Sequence, residues 1–446
     1  MKSSTASLLG RVSCVAVAAV AVVAGQLVQL TDPAAAAVRH ERAAKPSGGA
    51  PGSLTGYGFD ACTAPPQQVM DAWWQESPYS AVGVYMGGSN RVCKTQTELT
   101  AGWVQTQQKT GWHVLPIQVG PQASCSGYAD RMSSDLATAE QQGHAEAVAA
   151  IATAQSLGIG KQSTLYYDLE DYDIAPDDCR RAALRFMSGW TTELHAADYR
   201  SGVYSNIAAA ITSLDLAATL DPGFYEMPDD IWFAWANNQP DVITPTQWVQ
   251  SSEWDSHARI HQYRLDTQES YGGYPLTIDV NWVDVGEGSL PSRSKPLCGH
   301  VDVDLNAYPA RTLGSHGVAV RAAQCLLRKH GYSRARITGV YDKATVVAVR
   351  KAQRKLDQKV TGKLTRGTWV ALLAKGTHPL VKVGATGDPV RRLERALTAA
   401  LRKKVKIDGA FTQRTEKAVI KYQTKAGLPV TGVVTAEVWE RLLSGR

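Results

Sequence analysis

Short apolar runs alternate with longer amphipathic stretches over the first two thirds of this chain. The runs with strand character are Tyr57–Asp60, Ala81–Met86, His113–Val119, Thr164–Glu170, Ser201–Ser205, Ile231–Ala236, Arg259–Arg264 and Leu276–Asn281. Between them lie stretches with helical character: Leu99–Thr110, Ala129–Leu157, Asp177–Ala197 and Ile207–Leu220. Asp177 and Asp178 follow Pro176 and suit the first turn of a helix, where the dipole favours negative charge. Strands alternating with helices predict a parallel sheet covered by helices. Eight strands in roughly 230 residues match the usual size of a closed β/α barrel. The expected fold class is therefore α/β, a TIM-like (β/α)8 barrel. A doubly wound open sheet is the alternative, and it usually has fewer strands at this length.

Further along, the rhythm becomes helical and repeats with a period of 70 residues without gaps. Trp369 returns as Trp439, Gln353 as Gln423, and Gly317, Gly339 and Gly362 as Gly387, Gly409 and Gly432. Val360-Thr361-Gly362 returns as Val430-Thr431-Gly432, and Leu372-Leu373 as Leu442-Leu443. Each copy predicts a helix near Val320–Leu327 (Val390–Leu397), another near Thr345–Lys355 (Thr415–Lys425) and a third ending at Leu373 (Leu443). Three short helices around Trp369 or Trp439 make a small three-helix bundle.

Ahead of both regions, Lys2 and Arg11 flank an apolar run from Val12 to about Leu30, followed by Thr31-Asp32-Pro33 and the small residues Ala34–Ala37. That order reads as a secretory signal peptide over residues 1–37, with no twin-arginine pair. An uncleaved anchor is the alternative, because the run approaches the ~20 residues a bilayer needs. No other stretch has that character, so no stable membrane span is expected after cleavage. Residues 38–54 and 286–296 are rich in Gly, Pro, Ser and charge and read as linkers. The expected domains are the barrel over 55–286, a first module over 297–374 and a second over 377–446.

Charge divides along the same line. Residues 55–286 hold 11 Lys+Arg against 28 Asp+Glu, a balance of −17, whereas residues 298–446 hold 29 against 10, a balance of +19. A basic half implies an anionic partner. Nucleic acid is one; a cell wall rich in carboxylate and phosphate is another, and an export signal selects the wall. Of seven cysteines, Cys14 lies in the signal. Cys62, Cys93, Cys125, Cys179, Cys298 and Cys325 remain, an even number that predicts disulfides in an exported chain. The four in the acidic half allow three pairings, of which proximity favours Cys62–Cys93 with Cys125–Cys179. The rival reading is a zinc site, but no CxxC or HxxxH spacing supports one. No cofactor or metal is expected.

Residues two apart on a strand share a face. Tyr166, Asp168 and Glu170 therefore point one way, with Leu169 opposed. Carboxylates are tolerable at the C-terminal end of a barrel strand, where barrel enzymes place their sites. Asp60 ends the first strand, and Asp279 faces away from its neighbours Ile278 and Val280 in the last. The eighth strand closes beside the first, so Asp60 and Asp279 should be neighbours, with Asp168 and Glu170 across the mouth. Four acids at one mouth suit glycoside hydrolysis, which needs one carboxyl protonated and another ionised. Singly, an Asp ending a strand is more often a helix cap or loop anchor.

At these residues the chain resembles the glycoside hydrolase family 25 lysozymes, and more closely their secreted glycoside-hydrolase-like relatives in actinobacteria. The resemblance runs through Gly58-Phe59-Asp60, Asp168-Leu169-Glu170, Gly202-Val203-Tyr204-Ser205, Trp232–Ala236, His261-Gln262-Tyr263 and Asp279-Val280-Asn281. It implies Glu170 as general acid, and Asp168 as the group that orients or stabilises the substrate's N-acetyl group during attack at the anomeric carbon. Asp60 and Asp279 would fix geometry and tune charge. Tyr204, Trp235 and Tyr263 become candidates for stacking on sugar, with Gln262 a further substrate-binding candidate. One departure is Cys62, where the lysozymes usually have Ser; cysteines in the loops after the first three strands are another. The duplicated pattern resembles the peptidoglycan-binding module of secreted wall hydrolases over 317–373 and 387–443, departing at Glu394, which replaces the first Gln, and at Ala352, which replaces an aromatic. Together these imply a secreted, wall-associated, muramidase-like hydrolase of peptidoglycan. The alternatives are a wall-glycan-binding protein that no longer turns its ligand over and, from the basic half alone, a nucleic-acid binder.

Overall fold

A computed structural model describes residues 52–250, 252–289 and 297–446. The expected signal peptide and most of both linkers lie outside the described residues. Eight strands close a barrel in chain order: β1 Leu54–Asp60, β2 Ala81–Gly87, β3 His113–Gln118, β4 Thr164–Asp168, β5 Arg200–Asn206, β6 Asp230–Ala234, β7 Ala258–Tyr271 and β8 Tyr274–Val285. Helices α1 Gln67–Glu76, α2 Ala101–Thr110, α3 Leu136–Ser156, α4 Asp177–Ala196 and α5 Thr212–Leu220 lie between the first six strands. Leu54, read as linker from its neighbours, opens β1 and pairs with Val285. Helix α3 starts later than its apolar pattern suggested because Asp135 caps it, accepting from Thr138 N at 2.9 Å.

The closed α/β barrel expected from the sequence is the fold observed. One strand departs from the expected parallel sheet. Strands β1 to β7 pair in parallel, but β8 runs antiparallel to both β7 and β1. The cause is local. Gly272 and Gly273 join β7 to β8 with φ of 58° and 82°, and two left-handed residues make a hairpin with no room for a crossover helix.

Inside the barrel, alternation gathers Leu115, Ile117, Tyr166, Trp232, Ile260 and Val283 into one buried cluster. This packed layer is the platform on which the polar residues of the mouth stand. Disulfides Cys62–Cys93 and Cys125–Cys179 tie the loops after β1, β2 and β3, and Cys298–Cys325 ties the start of the basic half.

Each C-terminal repeat holds three helices: α6 Val318–Lys329, α7 Lys343–Lys355 and α8 Arg366–Ala374, then α9 Asp388–Leu401, α10 Gln413–Ala426 and α11 Ala436–Leu443. The repeated residues have physical reasons. Trp369 and Trp439 are fully buried, and each indole donates to a proline carbonyl, Pro309 or Pro379, at 2.8 Å. Gln353 and Gln423 are buried amides that accept from Gly362 N and Gly432 N and donate to Lys363 O and Val433 O, which pins the Val-Thr-Gly turn. Among the described residues, no helix is long and apolar enough to cross a membrane.

Candidate active site

Three strands deliver four carboxyls to one end of the barrel. Asp60 and Asp279 are direct cross-strand partners, because β8 closes against β1. Asp168 is the last residue of β4, and Glu170 lies two residues on. All four line a cavity of about 300 Å³ with Tyr85, Arg91, Tyr128 and Asp266. The cavity lies at the C-terminal ends of β1 to β4, as expected for a barrel site.

Donors from the barrel interior converge on Asp60. Asn281 Nδ2 donates to its Oδ1 at 2.6 Å, and Trp232 Nε1 donates in turn to Asn281 Oδ1 at 2.8 Å. Gln262 Nε2 lies 3.3 Å from Asp60 Oδ1 and 3.4 Å from Asp279 Oδ2, while its own Oε1 accepts from Tyr204 OH at 2.8 Å. Asp266 N donates to Asp279 Oδ1 at 2.7 Å. These bonds favour the ionised form, yet burial and the charge of Asp279 outweigh them and lift Asp60 to about 7.

Asp168 is as deeply buried and has fewer donors. Among the described residues its Oδ1 is buried without a hydrogen-bond partner. Burial raises its pKa well above the carboxylate range, and the charges of Glu170 and Asp60 add to that. Glu170 is only half-buried; burial raises it first, with Asp171 and Asp279 contributing. Arg91 is the cationic residue of the cavity wall, but its guanidinium donates to the carbonyls of Tyr85 at 3.0 Å and Lys94 at 2.5 Å. Among the described residues, no group of three or more His, Cys, Asp or Glu is placed to hold a metal ion.

The structure thus brings Asp60, Asp168, Glu170 and Asp279 together, with Gln262 and Tyr204 bonded beneath Asp60. Trp235 and Tyr263 are placed elsewhere. Trp235 packs against Trp248 and His261, and Tyr263 lies beside Arg264 in a cleft with Tyr57 and Tyr271. The reason is pleating: Gln262 points inward, so Tyr263 must point out. Two residues were missed. Asn281 shares the face of Asp279, and the same alternation would have found it. Gln122 bridges the end of β4, donating to Asp168 O and accepting from Glu170 N, both at 2.8 Å. It lies in a loop, where no periodic signal exists.

Residues 71–283 match the family described as Rv2525c-like, glycoside hydrolase-like domain. Over that span the barrel is similar to Rv2525c-like domains. The matched segment contains Asp168, Glu170 and Asp279, and β1 with Asp60 lies ahead of it. Residues 316–372 and 386–442 each match the peptidoglycan binding domain. Among solved structures, an uncharacterised B. stearothermophilus protein is 18% identical over 51% of this chain and 95% of that one, with a TM-score of 0.35. The Mycobacterium tuberculosis Tat-secreted protein Rv2525c in complex with L-tartrate is 14% identical over 51% of this chain and 95% of that one, with a TM-score of 0.36. A family 25 glycosyl hydrolase from Bacillus anthracis is 14% identical over 52% and 91%, with a TM-score of 0.30. No curated protein matches the sequence.

Proposed function

We propose that this protein is an exported, wall-associated glycoside hydrolase of the muramidase kind, held on peptidoglycan by its C-terminal modules. One observation carries the reading: Asp60, Asp168, Glu170 and Asp279 converge on one cavity in a glycoside hydrolase-like barrel. Hydrolysis of a glycosidic bond needs a proton for the leaving oxygen and negative charge for the oxocarbenium-like centre. Glu170 is half-buried and faces the cavity, so it can exchange protons with solvent and takes the role of general acid. Asp168 orients the substrate's N-acetyl group from below, and Asp60 with Asp279 sets the charge around the pair.

Burial favours the proton on Asp168 in the free protein, because Asp168 is the deeper group. The acid role of Glu170 therefore requires substrate to shift that proton outward, which charge developing at the sugar above Asp168 would do. A second reading, glycan binding without turnover, is favoured by the disulfide-tethered loop whose Arg91, Val92 and Cys93 line the cavity. Incubating the mature protein with purified sacculi separates the two. New reducing ends detected by mass spectrometry are expected; their absence, with binding retained, would leave the non-catalytic reading.

A further inference from the structure

The barrel end opposite the carboxyls is met by the second module. Ser80 Oγ donates to Val383 O at 3.3 Å, Ser289 Oγ to Gly384 O at 2.7 Å and Tyr57 OH to Glu416 Oε2 at 3.2 Å. Gln413 Nε2 donates to Pro240 O at 2.7 Å. A Cβ on Gly56 would lie 3.3 Å from Val383 O, so a bare strand meets the module's backbone there. Between these contacts lies Lys382, which is 3% exposed. Its Nζ donates to Trp74 O at 2.9 Å and Ser77 O at 3.3 Å, and lies 4.0 Å from the ring centroid of Trp74 and 5.1 Å from that of Trp112.

This is a built cage for an amine. Burying a cation is costly unless fixed dipoles replace its water. The two carbonyls lie at the C-terminal end of α1, where the helix dipole is negative, and indole faces are the best aromatic surface for a cation. Burial lowers the pKa of Lys382; the carbonyls and rings work against that.

The first module keeps the corresponding face clear. By the 70-residue period, Lys382, Val383, Gln413 and Glu416 correspond to Thr312, Leu313, Lys343 and Val346. Val383 is 2% exposed, whereas Leu313 is 56% exposed. Only the second copy has lysine at this position, so the cage discriminates between the repeats.

We propose that the second module is an internal adaptor, keyed to the floor of the barrel by Lys382 in the cage of Trp74, Trp112 and the α1 carbonyls, and that the first module is the copy whose corresponding face meets the wall. The wall half rests on the function proposed above; the docking half does not. Hydrogen exchange on the full chain tests docking. Lys382→Met keeps the length of the side chain but removes the amine. Exchange at residues 77–81 and 381–385 should rise together by about tenfold or more, while α3, α8 and α11 stay protected. In Lys382→Ala, added n-propylamine should restore protection and n-propanol should not. Co-sedimentation with sacculi tests the wall half: Leu313→Asp should weaken pelleting by roughly tenfold. Unchanged exchange in Lys382→Met, or rescue by the alcohol as well as the amine, overturns the docking key. Wild-type pelleting by Leu313→Asp overturns the wall assignment. A wild-type chain that does not pellet overturns the wall reading itself, and the exchange result still decides docking.

Discussion

The barrel mouth and the core of the second module share an electrostatic signature and differ in what surrounds it. At the mouth, burial lifts Asp60 to about 7; in the module, burial lifts Glu394 to about 8, with Asp408 adding to the rise. Asp168 Oδ1 and Glu394 Oε1 are both buried without a hydrogen-bond partner among the described residues. The likeness ends there. Asp60 and Asp168 share a cavity with three more carboxyls, Glu170, Asp266 and Asp279, and with Tyr85 and Tyr128 on its walls. Glu394 is fully buried in α9, at the position that Gln324 occupies in the first module. A raised carboxyl pKa marks a functional site only when the group faces space that a ligand can enter.

The largest expected effect is at the mouth. Glu170→Gln keeps size and reach but has no proton to transfer, so release of reducing ends from sacculi should fall by about 10² to 10⁴-fold with glycan binding little changed. The melting temperature should hold or rise, since one of several crowded like charges is gone. Full turnover in this variant would make the mouth no more catalytic than the module core.

Asp168→Asn should reduce turnover by on the order of 10²-fold, because an amide stabilises developing positive charge poorly. It should also stabilise the fold, with a definite pH dependence. The folded-state pKa of Asp168 is raised, so its contribution is fully present below the unfolded value and is lost as pH rises toward the folded one. Asn removes that loss, and the gain should grow by about 1.4 kcal/mol per pH unit above the ordinary carboxylate range until the native carboxyl ionises. Thermal melts of both proteins between pH 4 and 7 check this. Parallel curves would mean that Asp168 is ionised in the folded protein.

Much of this contrast was legible in the sequence. Strand alternation put Asp168 and Glu170 on one face and turned Asp279 away from Ile278 and Val280, and closure of the barrel brought Asp279 beside Asp60. The same rule, applied one residue further, would have turned Tyr263 away from Gln262 and added Asn281. The antiparallel β8 was signalled by Gly272-Gly273. Two features were not legible. Gln122 is positioned by long-range backbone bonds, Gln122 N to Asp130 O and Met132 N to Gln122 O, which no local pattern encodes. In the sequence Lys382 is one of many lysines in a basic half, and only the fold shows the rings and carbonyls around it.

The smallest effect on turnover is expected from Glu394→Gln, and it separates the two regions most sharply. In the first module, Gln324 accepts from Gly339 N at 2.9 Å and donates through Nε2 to Val340 O at 2.9 Å and Thr345 Oγ1 at 3.0 Å. Glu394 keeps the accepting half, from Gly409 N at 2.9 Å, but an ionised carboxylate has nothing to donate. Its pKa is about 8 in the folded protein against an ordinary 4.5. The folded state therefore holds a proton that the unfolded chain has released between those two values. Stability is fully present below about 4.5, falls as pH rises, and levels off near 8. Glutamine supplies a permanent N–H in place of that proton, so Glu394→Gln should match wild type near pH 4 and gain on it as pH rises, by up to about 5 kcal/mol at pH 8. Amide exchange at Gly409 and along α9, followed across this range, reads the difference directly. Turnover on sacculi should be unchanged at every pH. A loss of activity, or a stability gain independent of pH, would mean that the buried glutamate is not the counterpart of Gln324 that the repeat makes it.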